Sequence, residues 1–210
     1  MKFGGSKGAA AKSGGPSAPQ VRHSSGFEQF CLSLRNTEGQ SILDMSGASQ
    51  ANISFITGLS HRISSDDITA TMEECFGKDF LEGQQAAANA QRFLDQALTF
   101  PDNSFDGALA WDFLQFLVSP VLEETVAQLL RVMRPGGLVL AFFNADEKAT
   151  RIPVYNYRIQ DQKTLLQIPR GSLQRGQHFP NRSIEKVFQK AASLKFFLTR
   201  DSFREVLVRR

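Results

Sequence analysis

The fold is decided by residues 101–144, which read PDNSFDGALA WDFLQFLVSP VLEETVAQLL RVMRPGGLVL AFFN. The opening Pro-Asp-Asn-Ser is typical of a turn, and the apolar run at 105–111 predicts a buried strand. Apolar residues at helical spacing over 121–133 predict a helix, which the following Arg-Pro-Gly-Gly ends. The continuous apolar run at 138–143 is typical of a strand covered on both faces. This alternation favours an α/β doubly wound fold.

The segment before this stretch continues the alternation of strands and helices. Residues 41–45 predict a short buried strand, and small side chains follow at 46–49. The other predicted elements are a helix at 27–34, a helix at 53–59, a weak strand at 61–65, partly helical structure over 69–92 and a short strand at 91–94. Residues 1–25 are rich in Gly, Ser, Ala, Lys and Pro, so we expect a disordered tail there and a folded domain over 26–210.

The last third of the chain predicts a different arrangement. Strands are expected at 154–159 and 164–168 as a hairpin, then a loop at 171–180, a helix through residue 192, and strands at 194–198 and 203–208 around a turn at 200–202. A mostly parallel sheet that ends in an antiparallel hairpin is a common mixed arrangement.

Length and composition exclude several classes of protein. A chain of 210 residues suffices for one domain with a full core. It has no run of 18 apolar residues and no apolar segment of a secretory signal at its start, so we expect a cytoplasmic protein without a membrane span. Two cysteines and three widely separated histidines show no ligand spacing, so no metal site is expected.

Charge is distributed unevenly along the chain. The formal net charge of +3 divides into +3 for residues 1–40, −9 for 41–150 and +9 for 151–210. A basic third can indicate an anionic partner such as nucleic acid, although no nucleic-acid-binding motif is present. We favour the alternative that the acidic and basic parts pack on each other and partly neutralise.

The strand at 41–45, its loop of small residues and the next helix form a geometry that places ligands at the carboxyl edge of a sheet. Asp66 lies 22 positions after Asp44, at the end of the next predicted strand, where an acid can bind both hydroxyls of a ribose. Neither a GxGxxG nor a GxxxxGK[ST] pattern is present. The nucleotide sites that those patterns identify are therefore not supported.

Three motifs then occur in order: Ser-Ile-Leu-Asp from Ser41 with small residues after it, Phe-Pro-Asp-Asn-Ser-Phe-Asp-Gly at 100–107, and Leu-Arg-Val-Met-Arg-Pro-Gly-Gly at 130–137. Together they resemble the class I S-adenosylmethionine-dependent methyltransferases, specifically the type 11 group, over about residues 27–145. The resemblance implies a Rossmann-like, doubly wound, seven-stranded and mostly parallel sheet with a C-terminal antiparallel hairpin. It also implies S-adenosylmethionine as the cofactor, bound over the edges of the first four strands.

The family's first loop runs D/E-x-G-x-G-x-G, and this chain departs from it. Asp44 matches the acid, which by resemblance orders the loop or reaches the amino-acid end of the cofactor. Ser46, Ala48 and Gln50 stand at the three glycine positions, and Gly47 lies between two of them. The loop either binds the cofactor in an altered form or has lost binding while the fold is kept.

The resemblance assigns further residues to the cofactor. Asp66 matches the ribose-binding acid, with Asp67 as the alternative, and Asp95 lies where the family contacts adenine. Trp111 and Asp112 follow the fourth strand, at the rim where cofactor and substrate meet. The predicted cofactor-binding residues are Asp44, Ser46, Gly47, Ala48, Gln50, Asp66, Asp95, Trp111 and Asp112; no catalytic residue is predicted.

The predicted function is methyl transfer to an unidentified acceptor, small or macromolecular. The alternative is a catalytically inactive methyltransferase-like binding or scaffold protein. Residues 151–180 are interpreted as a substrate-side insertion, and a solvated surface hairpin is the alternative interpretation. Its candidate lining residues are Tyr155, Tyr157, Arg158, Arg170, Arg175 and His178.

Overall fold

The structure is a computed structural model that describes residues 18–35, 37–199 and 203–210. The strands in this part of the chain are β1 Gln20–His23, β2 Ser41–Asp44, β3 Arg62–Ser65, β4 Phe105–Trp111, β5 Met133–Asn144, β6 Arg151–Ile159, β7 Thr164–Gln174, β8 Ser193–Leu198 and β9 Phe203–Arg209. The α-helices are α1 Ser25–Leu34, α2 Gln50–Gly58, α3 Ile68–Phe76, α4 Phe80–Gln85, α5 Ala87–Gln96, α6 Val121–Val132 and α7 Asn181–Val187, and a 3-10 helix covers Phe113–Phe116. Within the described ranges, no helix is both long enough and apolar enough to cross a membrane.

The central sheet confirms the predicted Rossmann-like α/β class but not the strand count. Its order is β3-β2-β4-β5-β9-β8, with β3, β2, β4 and β5 parallel and β9 antiparallel to both its neighbours. The described residues give this sheet six strands, where seven were expected. The prediction of a strand at 91–94 is wrong, because these residues belong to α5. The Ala and Gln residues of 85–97 favour a helix over a strand.

A second, three-stranded sheet has the order β1-β7-β6 and includes the predicted hairpin. Strand β7 extends to Gln174, so the first part of the predicted loop at 171–180 is strand instead. Strand β1 pairs with β7 from Gln20 opposite Gln167 to His23 opposite Thr164. The prediction of a disordered tail is therefore corrected for residues 20–25. Residues 1–17 and the predicted turn at 200–202 lie outside the described residues.

A buried ion pair explains why a strand forms in that polar segment. Arg22 Nη2 lies 3.0 Å from Glu205 Oε1, with side chains only 4% and 0% exposed. The second oxygen of Glu205 accepts a hydrogen bond from the backbone N–H of Gly26 at 2.6 Å. This buried ion pair attaches β1, near the start of the described chain, to β9. The composition of the segment does not reveal such a pair.

The core follows from the two-residue period of the parallel strands. Along β2, Ile42 and Leu43 are both fully buried but belong to different apolar clusters, on opposite faces of the sheet. One cluster contains Phe27 and Phe30 of α1, and the other contains residues of α3, α5 and α6. Helix α1 packs so closely that a Cβ on Gly107 would lie 2.7 Å from the Phe30 ring.

The amino edge of the sheet is held by residues from two of the sequence motifs. Asp106, at the start of β4, accepts the backbone N–H of Ser41 at 2.8 Å and pairs with Arg134 at 2.7 Å. Arg131 donates to the backbone carbonyl of Phe100 at 2.9 Å. These contacts join the starts of β2, β4 and β5, so their carboxyl ends meet at the opposite edge.

Candidate functional site

Asp44 is the centre of a polar network at the carboxyl edge of β2. It is fully buried, and its Oδ1 accepts hydrogen bonds from Trp111 Nε1 at 2.7 Å and from the Ser46 hydroxyl at 3.0 Å. Its Oδ2 accepts from Asn52 Nδ2 at 2.6 Å. Burial raises the pKa of Asp44, and the hydrogen bonds from Trp111, Asn52 and Ser46 oppose that shift. Asp44 therefore lies at the end of β2, and its carboxylate already has partners within the chain; its role toward a cofactor stays a prediction.

The loop after β2 adopts a tight conformation. Gly47 has φ of +82° and donates its N–H to the backbone carbonyl of Asp66 at 3.0 Å, so the loop closes onto the end of β3. Ala48 is exposed, and Gln50 is an exposed first residue of α2 whose amide donates to Ser54 at 3.0 Å. Ser46 and Gly47 thus lie at the edge as predicted, whereas the Gln50 side chain is held along its own helix.

The two acids after β3 both have partners within the chain. Burial, followed by the nearby charge of Asp67, raises the pKa of Asp66, and backbone N–H groups of Asp67 and Leu98 oppose the shift. Asp67 caps α3 by accepting the N–H of Ala70 at 2.9 Å. Its two oxygens also accept Arg170 Nη1 at 2.8 and 3.0 Å. Asp66 therefore lies at the predicted strand end, and Asp67 is the acid that reaches a residue of β7.

Trp111 ends β4 and Asp112 follows it, and both are buried, with exposed fractions of 1% and 2%. Trp111 has a φ of +54°, a strained backbone conformation for a bulky residue, at the point where it donates to Asp44. Burial raises the pKa of Asp112 to about 7, against the opposing effects of the Tyr157 hydroxyl and the Tyr155 N–H. Among the described residues, Asp112 Oδ2 and the Tyr157 hydroxyl are buried without a hydrogen bond of good geometry.

Asp95 does not join this network. It lies on α5, is exposed, and accepts a hydrogen bond from Gln91 Nε2 at 2.8 Å, one helical turn earlier. The adenine contact was assigned to Asp95 by resemblance to the family. The residues just before it, predicted as a strand, belong to α5, and the adenine role of Asp95 stays a prediction.

The β6–β7 hairpin, residues 151–174, covers the carboxyl edge. The Tyr157 ring stacks on Trp111 with centroids 4.8 Å apart and ring planes 2° from parallel. Asn52 binds the hairpin backbone twice, donating to Tyr157 O at 3.0 Å and accepting from Ile159 N at 2.8 Å. Of the predicted insertion residues, Tyr157 therefore contacts the predicted cofactor residue Trp111, and Arg170 contacts Asp67, the alternative to Asp66.

The other insertion candidates have different surroundings. Tyr155 is buried next to Tyr157, Arg158 is exposed, and Arg175 donates to the backbone carbonyl of Asp146 at 2.8 Å. His178 is half-buried, with Nε2 buried and unpartnered among the described residues. None of these four contacts Asp44 or Trp111 in a described hydrogen bond or ring contact.

Asn52 is the residue at this site that the sequence analysis missed. It is fully buried on the first turn of α2, and it connects Asp44 to the hairpin. The sequence did carry a signal for Asn52. It is a polar amide that closely follows a loop of small residues, on a helix expected to pack on the sheet. Its partners on β6 lie more than 100 positions away, so spacing alone did not reveal them.

Comparison with known families gives a match to the family described as a methyltransferase domain, over residues 44–141. The chain is similar to this family over those residues. The predicted class I, type 11 resemblance is confirmed, and S-adenosylmethionine is the cofactor that the match supports. A search of curated protein sequences found no match.

Comparison with solved structures finds similar chains at low identity. The PH0226 protein of Pyrococcus horikoshii is 11% identical, with 88% of each chain covered and a TM-score of 0.52. A Methanosarcina mazei S-adenosylmethionine-dependent methyltransferase is 13% identical, covering 85% of this chain and 96% of that one, with a TM-score of 0.49. A Burkholderia thailandensis 1,6-didemethyltoxoflavin-N1-methyltransferase, solved with 1,6-didemethyltoxoflavin and S-adenosylhomocysteine, is 10% identical, with 89% and 78% covered and a TM-score of 0.47. At 11% identity, the similarity to the Pyrococcus horikoshii protein shows the fold alone.

In this conformation the β6–β7 hairpin lies on Trp111 at the carboxyl edge of the sheet, and the loop after β2 closes onto the end of β3 through the hydrogen bond from Gly47 N to Asp66 O. Ser46 forms a backbone bridge with Asp67 at the same place. A cavity of about 540 Å³ and another of about 200 Å³ lie in the described part of the chain, and neither is lined by a predicted cofactor residue. The hairpin therefore closes the edge at which the resemblance places the cofactor.

Proposed function

We propose that this methyltransferase domain transfers a methyl group from S-adenosylmethionine to an unidentified acceptor, small or macromolecular, from a conformation in which the hairpin has left the edge. The observation that carries the proposal is the pair of acids, Asp44 and Asp66, at the ends of adjacent parallel strands. Asp66 N donates to Asp44 O at 2.8 Å, so the two strand ends lie side by side. Both acids belong to the segment that matches the family.

The roles of the chain's own residues follow from this arrangement. Asp44 orders the loop through the hydrogen bonds of Ser46, and it fixes the indole of Trp111. Methyl transfer requires mainly positioning, and a general base is needed only for an acceptor that loses a proton. Asp112, next to Trp111 and with a pKa of about 7, is the buried carboxyl group suited to hold such a proton.

A second candidate function is a methyltransferase-like binding or scaffold module. One specific observation favours it: the hairpin satisfies the polar groups of the edge internally, through Asn52 and through Arg170. In this second candidate the closed edge is the working state, and the family match reflects the fold alone.

One titration distinguishes the two candidates. Isothermal titration of the full chain with S-adenosylmethionine and S-adenosylhomocysteine at high protein concentration gives saturable binding if the first function is correct. Mass spectrometry of the purified protein tests independently for a retained cofactor. If neither compound gives heat on titration and the purified protein retains no cofactor, methyl transfer is contradicted. The binding or scaffold function is then the remaining candidate.

The altered loop provides a matched variant. Replacing Ser46, Ala48 and Gln50 together by Gly restores the family pattern. If the loop limits a functional enzyme, the variant binds S-adenosylhomocysteine more tightly than the wild type does. Tight binding that the replacement leaves unchanged would argue against the scaffold, because the natural loop would then already be competent.

A further inference from the structure

We propose that the β6–β7 hairpin is a self-docked plug over the cofactor edge, and that the ion pairs of Arg170 with Asp67 and Glu73 are its release point. This inference rests on the proposed function, since it describes how that site opens. It begins from the difference between the family match and the closed edge. The hairpin is paired with β1 and buries apolar side chains in both core clusters. At the cofactor edge itself, the hairpin makes two polar attachments and one aromatic contact.

The aromatic contact occupies the space next to β4. The Tyr157 ring lies parallel to the Trp111 indole, and Phe142 packs on Tyr157 with ring centroids 5.4 Å apart. Trp111 and Tyr157 are each 1% exposed. A planar ring from the hairpin therefore covers the indole face that a ligand at this rim would contact.

The first polar attachment is fully buried. Asn52 holds the N–H of Ile159 and the carbonyl of Tyr157, and it also donates to Asp44. The Asn52 side chain binds one carbonyl and one N–H of β6. It therefore makes the hydrogen bonds that a neighbouring strand would make along β6. With Asn52 fully buried, water cannot compete for these bonds until the edge has opened.

The second polar attachment faces solvent. Arg170 Nη1 binds both oxygens of Asp67, and Nη2 lies 3.6 Å from Glu73 Oε2. The side chains of Arg170, Asp67 and Glu73 are 20%, 37% and 49% exposed. Partly exposed ion pairs exchange readily with water and with competing ions. This attachment can therefore break while Asn52 still holds its bonds.

Arg170 also occupies an acid that a ribose would use. Asp67 is the alternative to Asp66 as the acid for the ribose hydroxyl groups, and Arg170 contacts both oxygens of its carboxylate. Release of Arg170 leaves Asp67 with its capping bond to the N–H of Ala70. With Asp67 as the ribose acid, ligand binding and hairpin docking exclude each other; with Asp66, Arg170 acts only by holding the hairpin in place.

Hydrogen–deuterium exchange of the full chain, analysed by mass spectrometry, tests the plug without requiring activity. The variant is Arg170→Gln, and the matched control is Lys163→Gln, which removes one positive charge from the exposed turn of the same hairpin. We expect backbone amides of 165–174 to exchange at least tenfold faster in Arg170→Gln and at the wild-type rate in the control. Arg170→Lys, which keeps the charge but loses the two-oxygen contact, gives an intermediate rate and serves if Arg170→Gln does not fold.

Titration of the same proteins with S-adenosylhomocysteine gives the second measurement. We expect Arg170→Gln to bind it at least fivefold more tightly than the wild type, and the control to match the wild type. Unchanged exchange in Arg170→Gln overturns the plug even if every protein binds the compound. Faster exchange without binding in any of them overturns the proposed function and supports the plug.

Discussion

Asp112 provides the sharpest test of the electrostatics of the closed edge. Its carboxyl group is buried, and burial raises its pKa from 3.8 to about 7. The folded state therefore binds the proton more tightly than the unfolded chain does, and stability is lost as the pH rises through the window from about 4 to about 7. Each pH unit in that window costs about 1.4 kcal/mol, so the whole window costs about 4 kcal/mol.

The substitution Asp112→Asn removes this titration while it keeps the shape of the side chain. The amide is neutral at every pH, so the variant does not lose the stability that the wild type loses between pH 4 and pH 7. We expect the free energy of unfolding of the variant, relative to the wild type, to rise by about 3 kcal/mol between pH 5 and pH 8. Other titrating groups, including Asp44 and Asp66, occur in both proteins and largely cancel in this difference.

Urea unfolding at pH 5, 6, 7 and 8 measures that difference. Trp111 is the only tryptophan, and it stacks on Tyr157, so its fluorescence reports on the edge itself. The control is Asp102→Asn, which makes the same substitution on the surface, where the Asp102 side chain is 67% exposed in its pair with Arg131. An Asp112→Asn difference that does not change between pH 5 and pH 8 would show that Asp112 stays ionised in the folded protein, contrary to the expected effect of burial.

Three further substitutions test the contacts that hold the edge and the core. Asn52→Ala removes the donor to Asp44 and both bonds to the hairpin, so we expect a loss of about 3 kcal/mol in urea unfolding. Glu205→Gln removes the buried charge opposite Arg22 and should cost about 3 kcal/mol, with faster proteolytic cleavage near β1. Gly107→Ala places a Cβ against a helix α1 ring and should cost about 2 kcal/mol, seen as a lower melting temperature. A wild-type value for any one of these would contradict the contact it tests.

The elements that the sequence predicted correctly are those with strong local signals. The strand at 105–111 and the helix that ends at the Arg-Pro-Gly-Gly motif appear within a residue or two of their predicted bounds. Helix α5 and strand β1 were missed for different reasons. In α5, residues 91–94 were interpreted as a short strand although the segment around them is rich in Ala. In β1 the partner that stabilises the strand, Glu205, lies far along the chain.

The site was predictable in part because loops after parallel strands meet at one edge. That rule correctly brought together Asp44, Asp66 and Trp111. It said nothing about which groups of the last third would cover them. The preference for packing between the acidic and basic parts has one clear instance in Arg170 and Asp67, which lie 103 positions apart. Long-range pairs of this kind carry no spacing signal in a single sequence.

The family match and the closed edge are compatible because they depend on opposite ends of the same strands. The two motifs that made the resemblance specific, around Asp106 and Arg134, hold the starts of β2, β4 and β5 together. The family match includes both motifs and therefore covers residues of this amino edge. The closed contacts lie at the carboxyl ends, where Ser46 bridges to Asp67 and the hairpin lies on Trp111. Experiments on ligand binding should therefore change residues at the carboxyl edge and leave the two motifs at the amino edge unchanged.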